Sequence, residues 1–132
     1  MPESHHFHTF VKEVYLDTLG HMNHSVYLTI FDEARWEFLT SRGYGMVKIQ
    51  ETGLGPIVLE LTLRFLKELK LRDQITVETA LVSYEGKIGK MSQKIFRSGE
   101  LCCEAEFIYG FFDLKQRRIV QPTPEWLEAL SK

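Results

Sequence analysis

The spacing of apolar side chains changes along the chain from a helical period to a strand period. Between residues 24 and 41, apolar residues recur at steps of three and four, which predicts one long amphipathic helix. Its apolar face comprises Tyr27, Ile30, Phe31, Ala34 and Phe38. Asn23 can cap this helix, and Ser41-Arg42-Gly43 ends it. Further apolar residues widen the face, which predicts a helix enclosed by a curved surface: Val26, Leu28, Trp36 and Leu39.

From Pro56 onward the apolar residues occupy alternate positions, which is the period of a half-buried strand. In the first of these strands the alternating residues are Ile57, Leu59, Leu61, Leu63 and Phe65. The pattern predicts strands at 56–66, 74–84, 89–97 and 101–114, after an earlier strand at about 7–16. Residues 44–55 form a connection with one helical turn at 46–50, and Thr123 caps a short helix at 125–130.

This order of elements predicts an α+β domain in which a single antiparallel sheet curls around one helix. A chain of 132 residues, 44% of them hydrophobic, fits one domain covering 1–132. A sheet of this kind leaves open edge strands, so we expect a homodimer. The formal net charge of −2 offers no basic surface for nucleic acid.

The sequence also bears on compartment and redox state. It shows no secretory signal and no run of about 18 apolar residues, so we expect a cytoplasmic protein without stable membrane insertion. Cys102 and Cys103 are neighbours in a predicted strand, where side chains alternate faces. We therefore expect two reduced thiols rather than a disulfide between them.

The residues around the start of the helix resemble a known enzyme family. The chain contains Asp17-x-x-Gly20-His21-Met22-Asn23-His24-x-x-Tyr27, followed by Phe31-x-Glu33-Ala34-Arg35-x-x-Phe38. This is similar to the hot-dog thioesterases related to 4-hydroxybenzoyl-CoA thioesterase, whose usual pattern is D-x-x-G-H-x-N-[NH]-x-x-Y before a helix containing E-A-R. Tyr15 departs from that family, because many of its members have a second aspartate two residues before the catalytic one; Met22 replaces a common valine.

The resemblance implies a hot-dog fold, in which a five-stranded antiparallel sheet wraps around one long central helix. It also implies protomers joined edge to edge into a homodimer, often paired as a dimer of dimers, with active sites shared across the interface. The implied activity is hydrolysis of an acyl-CoA thioester to a free acid and CoA. The rival interpretation is a non-catalytic hot-dog module that binds acyl-CoA or an acyl carrier.

Thioester hydrolysis requires an attacking oxygen and a donor that stabilises the developing oxyanion. Asp17 can act as general base on water or attack the carbonyl itself to form a mixed anhydride. Backbone N–H groups of residues 24–27 lie at the positive end of the helix dipole without intrahelical acceptors. The resemblance assigns the polarising donor to the amide around His24. Alternatively, Asp17 only hydrogen-bonds the loop backbone, as aspartate does in many turns.

Other residues near Asp17 are candidates for contact with substrate. The His24 side chain can carry a proton or orient the water or the carbonyl, or it can be structural. The candidate substrate-binding residues of this region are Gly20, His21, Asn23, Ser25 and Tyr27. His21 and Asn23 are also suited to shaping the loop, and Tyr27 to filling the core. Cationic candidates for the CoA phosphates are Lys87 and Lys90, beside Arg64 and Arg97.

The sequence favours no metal or cofactor. Its five histidines show no spacing of a strong ligand motif. No G-x-S-x-G motif or Ser-His-Asp order is present, which argues against a serine hydrolase. The expected reaction therefore depends on a carboxylate and on backbone donors.

Overall fold

The computed structural model describes residues 4–131, which form one antiparallel sheet and three α-helices. The elements are β1 (His5–Phe10), a 3-10 turn (Glu13–Tyr15), α1 (His24–Ser41), α2 (Met46–Thr52), β2 (Leu54–Phe65), β3 (Gln74–Glu85), β4 (Ile88–Arg97), β5 (Glu100–Asp113), β6 (Arg118–Val120) and α3 (Pro124–Ser131). The strand order is β1-β3-β4-β5-β2, and β6 pairs with the end of β5. The two strands that flank α1 in sequence are thus the two edges of the sheet.

Helix α1 has the predicted bounds, and its predicted apolar face is buried. Asn23 caps it as expected, because its Oδ1 accepts the N–H of Ser25 at 2.9 Å. Phe31 on the buried face meets Phe107 of β5 edge-on, with ring centroids 6.0 Å apart. Within the wider apolar sector Leu39 is buried, whereas Leu28 remains 38% exposed. The helix is therefore covered along most of its apolar side and remains partly exposed at Leu28.

The first strand ends at Phe10, six residues earlier than predicted. Beyond it the N–H of Val11 donates to Asp73 O at 2.9 Å, and residues 13–15 turn as a 3-10 helix. The apolar residues of this segment mimic a strand, but the turn redirects the chain toward the start of α1. Two further differences concern length: α2 continues to Thr52, and the sheet gains the three-residue strand β6.

The sequence pattern predicted that side chains alternate between the two faces along the whole of strand β2. The structure differs, because the alternation is interrupted once. The pairing of β2 with β5 shifts between Val58 and Glu60, so one extra residue is accommodated there as a β-bulge. Val58 pairs with Tyr109 and Leu61 with Phe107, which places Val58 and Leu61 on the same face of the sheet. Because β2 is an edge strand, most of its residues are exposed rather than half-buried.

A polar network joins the middle of α1 to the sheet. The Gln93 side chain is fully buried, and its Nε2 donates to Phe31 O at 2.9 Å and to Thr79 Oγ1 at 3.0 Å. Its Oε1 accepts Arg35 Nη1 at 2.9 Å. The guanidinium of Arg35 also lies 4.3 Å from the centroid of the Phe107 ring and donates to Asp32. Burial lowers the pKa of Arg35, and Asp32 opposes that shift. Each polar group of Gln93 therefore has a partner.

Cys102 and Cys103 are free thiols, as predicted, and both are fully buried in β5. Burial raises the pKa of Cys102, and it raises the pKa of Cys103 to about 12. At neutral pH both side chains are therefore protonated and serve as small apolar core residues.

Candidate active site

The loop before α1 is a closed turn that backbone hydrogen bonds hold in place. The N–H of Asp17 donates to His21 O at 3.0 Å, and the N–H of Gly20 donates to Asp17 O at 3.2 Å. Gly20 has φ +84°, a left-handed conformation that favours glycine. Met22 is buried, and its N–H donates to Leu69 O at 2.7 Å. The loop is thereby anchored to the connection between β2 and β3.

The Asp17 carboxylate is partly committed to this turn. Its Oδ1 accepts the N–H of Leu19 at 2.9 Å, which is the turn hydrogen bond considered above as the alternative role. Its Oδ2 lies 3.4 Å from His21 Nδ1, a contact that is an ion pair only when the imidazole is protonated. The side chain is 20% exposed. One oxygen is thus held in the turn, while the other lies beside the His21 imidazole and accepts no hydrogen bond from residues 4–131.

The first turn of α1 leaves one backbone donor free. The N–H of Ser25 donates to Asn23 Oδ1, and the N–H of Val26 donates to Asn23 O at 3.0 Å. The N–H of His24 has no acceptor anywhere within residues 4–131. Residues 24–27 were predicted to supply a free backbone donor. Since the N–H groups of Ser25 and Val26 are bonded to Asn23, the N–H of His24 is the candidate.

A single pocket of about 350 Å³ lies between this loop and the end of β2. It brings together four of the residues that the sequence singled out: Asp17, His21, His24 and Tyr27. Tyr27 packs edge-on against Phe65 at 4.9 Å between ring centroids, and burial raises its pKa to about 12. Tyr27 is therefore a neutral wall of the pocket and part of the core. Asp17 and His24, on either side of the loop, therefore line the same pocket.

Three other candidates, Gly20, Asn23 and Ser25, support the pocket without lining it. Residues 65–68 form its opposite wall and were missed by the sequence reasoning. Among them Lys67 is a cation, 57% exposed and 3.9 Å from Glu100. Nothing in the local sequence marks these residues, because their role depends on β2 lying beside the start of α1.

The predicted phosphate-binding lysines lie elsewhere in the protomer. Lys87 stands in the turn between β3 and β4, and Lys90 follows it, 3.6 Å from Glu106. Lys90 pairs with Ile108, whereas Phe65 at the pocket pairs with Cys103, so the two sites lie toward opposite ends of the sheet. The candidates Arg64 and Arg97 are engaged with carboxylates, at 3.4 Å from Glu104 and 3.1 Å from Asp73 respectively.

Neither a metal site nor a membrane segment stands out between residues 4 and 131. No group of three or more His, Cys, Asp or Glu side chains in that range is arranged to hold a metal ion. No helix in that range combines the length and hydropathy needed to cross a membrane. Besides Tyr27, the ionisable side chains that line the pocket are two carboxylates, two imidazoles and one ammonium group: Asp17, Glu68, His21, His24 and Lys67.

Comparison with known proteins places this arrangement in context. Residues 11–130 match the family model described as the thioesterase-like superfamily. The long-chain acyl-CoA thioesterase FadM of Escherichia coli strain K12 is 25% identical over 124 residues, covering 92% of this chain and 93% of FadM. The chloroplastic acyl-acyl carrier protein thioesterase ATL3 of Arabidopsis thaliana is 28% identical over 125 residues, covering 93% of this chain and 66% of ATL3.

The solved structures agree with the fold expected from the sequence. A hypothetical protein from Aquifex aeolicus superposes with a TM-score of 0.89 at 26% identity, covering 96% of this chain and 98% of that one. Together with the family match, this likeness confirms the predicted hot-dog fold. The observed sheet has six strands because β6 adds to the five that were expected.

Proposed function

The chain belongs to the thioesterase-like superfamily and is a thioester hydrolase, and from this premise we propose that it hydrolyses acyl-CoA with Asp17 as its catalytic carboxylate. The observation that carries the proposal is that Asp17 and the residue with the unpaired first-turn N–H, His24, line one pocket. The names of the relatives agree with it, since one acts on acyl-CoA and another on acyl-acyl carrier protein.

The His24 N–H is suited to polarise the thioester carbonyl. It has no competing acceptor within residues 4–131, and the positive end of the α1 dipole adds to its attraction for a developing oxyanion. One such donor contributes about 2.7 to 4 kcal/mol of transition-state stabilisation in other enzymes. Because the closed loop and the Asn23 cap fix this position, the donor is in place before substrate arrives.

Asp17 supplies the attack in one of two ways. As a general base it takes a proton from water, the resulting hydroxide adds to the carbonyl carbon, and the tetrahedral adduct then collapses by breaking the C–S bond and expelling the CoA thiolate. As a nucleophile it adds directly, expels the CoA thiolate and forms an anhydride that water then cleaves. Both routes end in the free acid and CoA. The bond from Leu19 N–H and the nearby His21 ring orient the carboxylate, and the exposed His24 ring can relay the proton.

The exposed edge of β2 supports assembly with a second copy. Val58, Leu59 and Leu61 are apolar and between 39% and 45% exposed on this edge strand. An uncovered apolar edge favours strand pairing, so we expect a homodimer joined at β2, and a dimer of dimers beyond it. We propose that Lys87 and Lys90 then bind CoA phosphates together with Lys67, across that interface.

The test is the replacement Asp17→Asn, assayed by release of the CoA thiol over short-chain, long-chain and aromatic acyl-CoA esters. Turnover should fall by about 10²- to 10⁴-fold, since the carboxamide cannot accept the proton or attack. The matched control is Asp113→Asn, because Asp113 Oδ1 likewise accepts backbone hydrogen bonds in a turn, from two N–H groups at 2.9 Å each, and lies away from the pocket.

Both variants should keep the elution volume and circular dichroism of the unmodified protein. Unchanged turnover in Asp17→Asn would remove Asp17 from the mechanism. Saturable binding of acyl-CoA without thiol release in the unmodified protein would favour the non-catalytic binding module. A larger kcat/KM for the same acyl group on an acyl carrier protein would move the substrate from CoA to the carrier.

A further inference from the structure

The segment that joins β2 to β3, residues 66–73, contributes to the Asp17 pocket in two ways. Its first three residues line the wall opposite Asp17. The next residue, Leu69, is fully buried, and its carbonyl accepts the N–H of Met22 at 2.7 Å. Met22 follows His21, whose carbonyl accepts the N–H of Asp17. The segment therefore anchors the loop that carries the proposed catalytic carboxylate, and a shift of the segment would move that loop.

The side chain of Arg97, at the end of β4, binds this segment from outside the pocket. Its Nη1 donates to Glu68 O at 2.9 Å and to Asp73 Oδ2 at 3.1 Å. Its Nη2 donates to Glu100 Oε1 at 2.9 Å. Because the Arg97 and Asp73 side chains are only 27% and 25% exposed, solvent screens this pair less than an ordinary surface ion pair. One guanidinium thus connects a carbonyl of the pocket wall with two carboxylates.

Main-chain hydrogen bonds position the start of the segment, and Arg97 holds its middle and its end. The N–H groups of the first two residues of the segment both donate to Cys102 O, at 2.9 and 3.0 Å. Beyond them, the bond at Glu68 O depends on the side chain at position 97. Asp73 Oδ2, which Arg97 also binds, accepts a main-chain N–H of the segment at 2.8 Å. Leu69, the residue that anchors the loop, lies between the two points that Arg97 holds.

We propose that Arg97 is a positioning residue for thioester hydrolysis: it holds residues 66–73 so that the attached loop presents the Asp17 carboxylate to the substrate carbonyl. The proposal rests on the proposed function, because it assigns Arg97 no role apart from the placement of Asp17. A misplacement of about 1 Å by a change far from the reacting atoms can lower a rate about 10²-fold, so a contact outside the pocket can affect turnover. Arginine suits this role, since its planar guanidinium presents its donors in a fixed fork, whereas a lysine ammonium is a point charge on a flexible stem.

The replacement Arg97→Ala removes all three hydrogen bonds. In the thiol-release assay kcat should fall about tenfold or more, because the carboxylate is then misplaced. KM should change by less than about threefold, since loss of an interaction made only in the transition state lowers kcat and leaves KM. Arg97→Lys keeps the charge without the fork and should lose a smaller part of kcat. A higher KM with an unchanged kcat would overturn the proposal, because Arg97 would then assist substrate binding alone.

Arg117→Ala is the matched control. Arg117 is exposed in the turn between β5 and β6, and its guanidinium lies 5.0 Å from the centroid of the Phe112 ring. Phe112 pairs with Gly55 at the start of β2, whereas the pocket lies at the end of that strand. This control should retain the kcat and KM of the unmodified protein. All variants are compared at a temperature at which circular dichroism shows them folded, so that a loss of kcat reports on the site.

A double-mutant cycle tests whether Arg97 acts through Asp17. In the Asp17→Asn background the carboxylate is already lost, so Arg97→Ala should change the residual kcat by less than about twofold. In the unmodified background the same replacement should cost about tenfold or more. An equal loss in the two backgrounds would overturn the proposal, since a merely structural arginine lowers activity whatever residue occupies position 17.

These measurements separate the role of Arg97 from the proposed function. If Asp17→Asn retains full turnover, the proposed function fails, and the role of Arg97 fails with it. If Asp17→Asn loses turnover while Arg97→Ala keeps its kcat, the positioning role alone fails. The expected outcome is a large loss in each single variant and little further loss in the double variant.

Discussion

Two regions of α1 treat polar groups in opposite ways. At its start, the His24 N–H has no acceptor within the described residues, and within the same residues Asp17 Oδ2 accepts no hydrogen bond. The middle of α1 contacts Gln93 of β4, whose side chain is fully buried. Each polar atom of that side chain has a hydrogen-bond partner. A buried polar group without a partner is costly, whereas one in an open pocket can be completed by substrate. The first region therefore leaves polar groups available to a bound molecule, and the second holds the helix on the sheet.

The largest expected effect on stability comes from breaking the second region. Gln93→Met keeps a similar volume but leaves the Thr79 hydroxyl and one Arg35 donor without the partner that the Gln93 side chain supplies, and Phe31 O loses its second hydrogen bond. The free energy of unfolding should fall by about 3 kcal/mol, measured by urea denaturation. Gln121→Met, at an exposed position, is the control and should be neutral. An unchanged midpoint for Gln93→Met would show that the network adds nothing to stability.

A smaller effect is expected at the loop that carries Asp17. Gly20→Ala forces a side chain into the left-handed region at φ +84° and should cost about 1 to 2 kcal/mol. Gly99→Ala is a matched control, since Gly99 has φ +78° in a remote turn and a Cβ meets nothing within 4 Å at either glycine. Both variants should lose similar stability, but only Gly20→Ala should lower kcat. Equal kcat values would mean that loop geometry does not orient the carboxylate.

The smallest stability change is expected at the helix cap. Asn23→Ala removes the acceptor for the Ser25 N–H and should cost about 1 kcal/mol, while Asn23→Asp keeps the cap and most of the stability. Because the cap positions the His24 donor, Asn23→Ala should lower kcat more than Gln93→Met does, despite its smaller effect on unfolding. The reverse order of the two kcat values would contradict the division between the two regions. Thermal unfolding and thiol release measure both quantities.

The sequence predicted those parts of the molecule that depend on neighbouring residues. The predicted bounds, Asn23 cap and buried face of α1 are correct. Each of them is determined by residues close together in the sequence. The approach of Asp17 and His24 to one pocket also followed from their places on either side of a short loop. Their catalytic roles remain predictions.

Features that depend on strand pairing could not be predicted in this way. The bulge near Leu59 reverses the face of Ile57 relative to Leu61, and it is visible only in the register with β5. The contribution of Lys67 to the pocket, and the distance of Lys87 from it, depend on β2 being an edge of the sheet. Strand β6 was not predicted, because three residues are too few to show an alternation of apolar and polar side chains.

The buried cysteines have a practical consequence for measuring this enzyme. Reagents that detect free CoA by disulfide exchange react with thiolates, and the burial that raises the pKa of Cys102 and Cys103 keeps both in the unreactive thiol form. The folded protein therefore contributes no background colour while product accumulates. When it unfolds, two equivalents of thiol become reactive, so the same reagent counts the molecules that have lost their core.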